Sequence, residues 1–158
     1  MSIFATSRWL PLTMLGVALL GFADATYLTV AHYTDARLPC TITHGCQVVT
    51  TSSYSEIFGI PVALLGALYY LTMFGMLFIA VDKKNERLLR LAGKFTLAGF
   101  LFSLWFVFAQ IFLIHAICQW CMGSAITSTV LFVLGWFVLP RRISSLFPLP
   151  PASGEGGL

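Results

Sequence analysis

Residues 59–81 run for twenty-three positions without a charged side chain, and that run limits the fold more than any motif does. About 20 apolar residues in a helix cross a hydrocarbon core of roughly 30 Å. A helix also satisfies its own backbone polar groups in lipid, as an irregular segment cannot. A second run covers residues 10–30, where Asp24 is the one formal charge. From 91 to 139 the chain is apolar again, with no formal charge after Lys94. That stretch is too long for one span and suits two. The break falls near Gln110, His115 and Cys118-Gln119-Trp120-Cys121, where polar and interfacial residue types collect. The reading is four transmembrane helices, roughly residues 10–32, 59–81, 91–116 and 118–139. Only 9% of the chain is charged and 58% is hydrophobic, whereas soluble domains carry about a quarter charged residues. A soluble domain is excluded.

Arg8, the first apolar run and Ala23-Asp24-Ala25 resemble a secretory signal with its cleavage site. The apolar run continues past that site through Tyr27-Leu28-Thr29-Val30, so the first helix is expected to stay. Lys and Arg in short loops then set the orientation. Arg8 precedes helix 1; Lys83, Lys84, Arg87, Arg90 and Lys94 lie between or just inside helices 2 and 3; Arg141 and Arg142 follow helix 4. Only Arg37 falls in the loop between helices 1 and 2, so eight of the nine basic residues share a side. Both termini of this multi-pass protein are therefore expected in the cytoplasm; in a bacterial plasma membrane the opposite face is extracytoplasmic. The net charge of +3 is the mark of that topology and calls for no nucleic acid. The Pro-, Ser- and Gly-rich end from Ser144 reads as a disordered tail.

This topology puts Cys40, Cys46, Cys118 and Cys121 at the outer face, the compartment where disulfides form and persist. Cys118-x-x-Cys121 stands where helix 4 begins, beside Trp105, Phe106, Phe108, Phe112 and Trp120. The first turn of a helix offers unpaired N–H groups and the positive end of its dipole, which favour thiolate. Thiolate is the attacking species in exchange. The other pair, Cys40-x5-Cys46, lies among Pro39, Thr41, Ile42, Thr43, His44 and Gly45, a segment expected to be mobile. A mobile pair can visit a soluble partner above and a fixed pair below, as exchange through mixed disulfides requires. Two other readings stand beside this one. The pairs can be structural disulfides, although C-x-x-C closes too small a loop to stabilise much. They can hold zinc, although the x5 spacing is unusual for ligands.

Further residues have weaker signals. Ser53 and Glu56 have capping-box spacing, so a short half-helix is expected to start there and roof a cavity among the spans. Gly59 and Pro61 mark the turn into helix 2. Ser52, Ser53 and Ser55 can offer hydroxyls to a carbonyl, although capping is the commoner role of such serines. Asp24 is an intramembrane acid and hence a functional candidate, but also suits a packing role against Thr or Ser. His115 and His44 read as boundary and loop residues. Ala63, Gly66, Ala67 and Gly75 read as close-packing positions between helices.

Gly45-Cys46-Gln47-Val48-Val49, Ser53-Tyr54-Ser55-Glu56-Ile57-Phe58-Gly59-Ile60-Pro61, and Ile114-His115-Ala116-Ile117-Cys118-Gln119-Trp120-Cys121 together resemble the vitamin K epoxide reductase family in its bacterial form. Asp24-Ala25-Thr26-Tyr27-Leu28-Thr29 adds to the match, which covers roughly residues 12–139. The resemblance implies an all-α membrane protein, a four-helix bundle with a short extracytoplasmic half-helix in the first outer loop. It implies a thiol:quinone oxidoreductase that oxidises a separate thioredoxin-like (DsbA-like) partner through Cys40 and Cys46. Electrons then pass from Cys46 to Cys118, and Cys121 faces a membrane quinone of ubiquinone, menaquinone or vitamin K type. Ser52, Ser55 and Phe58 become candidates for the quinone pocket.

Vertebrate members place an asparagine where this chain has Ser55 and a tyrosine where it has Ala125, both contacting vitamin K. Their absence favours plain quinone reduction over epoxide reduction. The other four-helix disulfide oxidase family, the DsbB type, puts its C-x-x-C in the first outer loop; the order here is reversed. The expected organisation is a cytoplasmic N-terminal segment 1–9, a catalytic bundle 10–139 and a cytoplasmic tail 140–158, without a fused thioredoxin-like domain. A rival of another class is a non-catalytic membrane protein with structural disulfides.

Overall fold

The computed structural model describes residues 6–34, 38–40 and 45–138. Arg37, His44, Arg141, Arg142 and the tail 140–158 lie outside them, as do residues 1–5 and most of the segment between the loop cysteines. Among the described residues, four helices are long and apolar enough to cross a membrane. The chain is a multi-pass, four-helix membrane protein.

Helix α1 spans Thr6–Tyr33. A single turn, α2, covers Cys46–Thr50. Strands β1, Glu56–Ile57, and β2, Ile60–Pro61, pair antiparallel with Glu56 opposite Pro61 and Ile57 opposite Ile60. Helix α3 runs Val62–Asp82, α4 runs Glu86–Phe108 and continues as a π-helical turn over Ala109–Ile114. Helix α5 spans Gln119–Val138. The long helices form a ring in which α1 and α4 each pack on both α3 and α5.

Several threonine hydroxyls inside these spans are satisfied by their own helix, because lipid offers them no partner. Thr29 donates to Ala25 O at 2.7 Å, Thr72 to Leu68 O at 2.8 Å and Thr129 to Ala125 O at 2.8 Å. The core is built from small and flexible side chains, with Met14, Ala18, Ala67, Met73, Leu77, Ala92 and Leu131 buried. Leu, Phe and Ile side chains such as Leu68, Phe78 and Ile126 face outward, where acyl chains are as apolar as the core.

The helix ends differ from the sequence expectation for identifiable reasons. Helix α4 starts five residues before the apolar run because Asn85 Oδ1 accepts the N–H groups of Arg87 and Leu88 at 3.1 and 3.3 Å. Hydropathy does not register that cap. Helix α3 starts at Val62, later than residue 59, because Phe58 (φ 54°) and Gly59 (φ 76°) form the hairpin turn. Two successive positive φ angles suit the twist of a two-residue hairpin. Pro61 then caps α3 from outside its first turn.

The half-helix is present, but at Cys46–Thr50 and not from Ser53. Ser53 and Glu56 do not form a capping box: Glu56 lies in β1, where its Oε1 is 3.2 Å from His32 Nε2. That contact ties the end of α1 to the hairpin. Of the expected close-packing positions, Ala67 is buried in the core, but Ala63 and Gly66 line a cavity. A Cβ at Gly75 would meet nothing. Close approach occurs instead at Gly21, against the Tyr70 ring, and at Gly135, where an added Cβ would lie 2.7 Å from Thr96 Oγ1.

Candidate functional site

All four cysteines meet at one end of the bundle. Cys46 and Cys118 are 1% and 0% exposed and share a buried cluster with Val49, against which Cys40, Cys121, Ile114, Ala116 and Trp120 pack. Cys40 and Cys46 form a disulfide with Cα atoms 6.3 Å apart. Cys118 and Cys121 are thiols.

The loop that carries Cys40 is held by one carbonyl. Pro39 O accepts Gln119 Nε2 at 3.1 Å and Trp120 Nε1 at 3.3 Å. Trp120 in turn packs on Tyr27 of α1, ring centroids 5.0 Å apart. On the other side of the disulfide, Gly45 lies directly on the backbone of Ile117. A Cβ there would come within 2.7 Å of Ile117 O and 2.8 Å of Ile117 N. Its φ of −90° is open to any residue, so glycine is needed here for space alone.

The turn before α5 is built around Gln110. The π-helical turn places this residue at 1% exposure, and its Oε1 accepts the Cys118 N–H at 2.9 Å. Its backbone carbonyl accepts Ala116 N–H at 3.1 Å. His115, at φ 54°, closes the turn in the left-handed region and is exposed. Short π segments commonly mark functional positions. Gln110 was legible only as a break in hydropathy. Its role in holding Cys118 was not, although a lone amide eight residues before a cysteine was the available signal.

Cys118 precedes the first residue of α5, outside the spans. The Cys121 thiol donates toward its sulfur, and the N–H groups of Cys121, at 3.4 Å, and Trp120 add to that. Burial and the charge of Asp24 oppose these contacts, and the net effect brings the Cys118 thiol down to about 7. Because thiolate is the reactive form, Cys118 alkylation in the reduced protein is expected to rise through about pH 7 and level off above it. An exposed cysteine would still be gaining rate at pH 8.5. Iodoacetamide labelling against pH, read by mass spectrometry, checks this; a midpoint near 8.5 contradicts it.

Beneath the cysteine cluster lies a cavity of about 350 Å³. Of the four cysteines only Cys121 lines it. Its roof comes from Val49 and Thr50 of α2 and from Ser52, Tyr54 and Ser55 after it, and its walls from α1, α3, α4 and α5. Ser52 and Ser55 are therefore placed at the cavity, as expected, but both hydroxyls are engaged. Ser52 Oγ donates to Val49 O and Ser55 Oγ to Ser52 O, each at 2.7 Å.

Phe58 is elsewhere: it is fully exposed at the hairpin tip and does not line the cavity. Its left-handed backbone turns the ring away from the bundle. Among the aromatic residues expected near Cys118, Phe106 lines the cavity, while Trp105, Phe108 and Phe112 form an exposed stacked stripe. Asp24 Oδ2 is buried without a hydrogen-bond partner among the described residues.

The profile of the vitamin K epoxide reductase family matches residues 12–136, from within α1 to within α5. The chain belongs to the vitamin K epoxide reductase family. None of the curated proteins compared with the chain matches it. Membership makes the protein a membrane oxidoreductase that links disulfide chemistry to quinones. The vitamin K epoxide reductase family generally works with quinones and thioredoxin-like partners. A cavity lined mostly by apolar groups, with a thiol on its wall, suits a flat lipid-soluble ring. Ala125 also lines it.

Proposed function

We propose that the chain, through the bundle 10–139, oxidises a separate thioredoxin-like partner and delivers the electrons to a membrane quinone, supporting disulfide formation outside the cytoplasm. The observation that carries this reading is the division of labour among the cysteines. All four belong to one cluster, yet only Cys121 reaches the cavity. The partner's dithiol reduces Cys40–Cys46 and leaves as a disulfide. Cys46 thiolate then attacks Cys118 in a Cys118–Cys121 disulfide and releases Cys121. Cys40 attacks Cys46 in the mixed disulfide, which restores Cys40–Cys46 and leaves Cys118 and Cys121 reduced. A Cys40–Cys46 disulfide beside free Cys118 and Cys121 supports this order of steps.

A quinone in the cavity takes up two electrons and two protons and leaves as hydroquinone. Cys121 faces it across the wall, and Cys118 closes the inner disulfide. Docking of Pro39 O on Gln119 and Trp120 keeps the loop pair within reach of Cys118. The distribution of basic residues supports cytoplasmic termini and an extracytoplasmic cysteine cluster.

Anaerobic mixing of the full chain with a reduced thioredoxin-like protein and a quinone tests this, following quinone absorbance. One quinone is expected to be consumed per partner disulfide formed. If partner thiols and quinone both persist, the reading fails and the disulfides are structural.

A further inference from the structure

The cavity has polar groups that no hydrogen-bond partner among the described residues satisfies, and they are not the serines of its roof. Tyr69 Oη and Ser128 Oγ are both buried without a hydrogen-bond partner. Both residues line the cavity; the Ser128 hydroxyl lies beside those of Tyr69 and Tyr70 but meets neither in hydrogen-bond geometry. Their neighbours differ. Tyr70 Oη is bound to Ser124 O and Thr127 Oγ1, each at 2.8 Å, and Ser52 and Ser55 donate to backbone carbonyls. An unsatisfied buried hydroxyl is costly, and more so at membrane depth, so a pair of them facing one cavity calls for a ligand.

The placement is specific. Cys121, Ser124, Ala125 and Ser128 follow one face of α5, and all four line the cavity. Seven residues separate Cys121 from Ser128, about 10 Å along the helix axis. The Tyr69 hydroxyl occupies the space left by Gly99, since a Cβ there would overlap it. The Tyr69 ring is fixed by Phe95 at 5.1 Å and Tyr70 at 5.2 Å.

We infer that Tyr69 and Ser128 are the deep hydrogen-bond donors of the cavity and bind a carbonyl oxygen of the quinone. They hold the ring with its far carbonyl anchored below and its upper edge toward Cys121. This rests on the cavity being the quinone site. The ligand class follows from the groups: an apolar ring with an acceptor at its deep end, so that both orphan donors are used when it binds.

Tyr69→Phe, Ser128→Ala and Gly99→Ala in the full chain test it, with 2,3-dimethyl-1,4-naphthoquinone as the probe. Tyr69→Phe and Ser128→Ala each remove an unpaired group, so the quinone-free protein is expected to melt at the same temperature or higher. A hydroxyl with only a structural role would give a lower one. Quinone affinity is expected to fall about tenfold in each of these two, the equivalent of about 1.4 kcal/mol. Gly99→Ala, which displaces the tyrosine head, is expected to lower it similarly. In the wild type the infrared band of one bound carbonyl is expected at lower frequency than in solution, and Tyr69→Phe to return it toward the free value. Unchanged affinity and an unmoved band in Tyr69→Phe overturn the inference while leaving the quinone reaction standing. A wild-type protein that binds no quinone overturns the proposed function itself.

Discussion

Cys121→Ser is expected to abolish steady-state quinone reduction, whether electrons come from a thioredoxin-like partner or from a small dithiol. Of the four cysteines it alone lines the cavity, and a hydroxyl cannot give up electrons or close a disulfide with Cys118. Removing an obligatory reacting group costs about a thousandfold or more in rate. The loop disulfide Cys40–Cys46 is untouched by the substitution, so one partner disulfide per chain is still expected in a single-turnover burst. Quinone absorbance reports the steady state, and acid-quenched thiol labelling reports the burst. Full quinone reduction by the variant would remove Cys121 from the electron path.

Gly45→Ala is expected to separate the two halves of the reaction. A methyl group at this position meets the Ile117 backbone at 2.7 and 2.8 Å, and backbone inside a turn pinned by Gln110 does not yield cheaply. The loop must lift instead, carrying Cys46 away from Cys118. A displacement of about 1 Å between reacting groups can cost about a hundredfold, and that loss is expected in quinone reduction driven by the partner. A small dithiol that reduces Cys118–Cys121 directly bypasses the loop, so its rate is expected to stay within about threefold of wild type. Equal losses with both donors would show that Gly45 serves folding and not the transfer between pairs.

The spans were readable because lipid imposes length and apolarity on every helix that crosses it, and residues 59–81 satisfy both without exception. The four cysteines were readable because they are few and paired. What escaped the sequence was geometry set by tertiary contacts. Phe58-Gly59 lacks the Asn-Gly signature of its turn, so the hairpin was not foreseen and Phe58 was placed at a cavity it does not reach. Ser53 and Glu56 had the spacing of a cap, but His32 offered Glu56 an opposite group from another helix. Tyr69 and Ser128 lie on different helices, and only packing brings their hydroxyls to the same cavity. The i, i+3, i+7 spacing of Cys121, Ser124 and Ser128 was the one available hint of a polar stripe below the reactive sulfur.

The π-helical turn at Ala109–Ile114 sets the angular phase of the last residues of α4's span. Such a turn holds one residue more than an α turn would, and one residue is worth about 100° of rotation around a helix axis. Residues that enter it in step with α4 leave it out of step. The left-handed His115 then ends the helix, so the residue this rotation aims is Gln110, whose Oε1 meets the Cys118 N–H. A single inserted or deleted residue in this stretch would act like turning a key, re-aiming that amide without altering the membrane span that supports it.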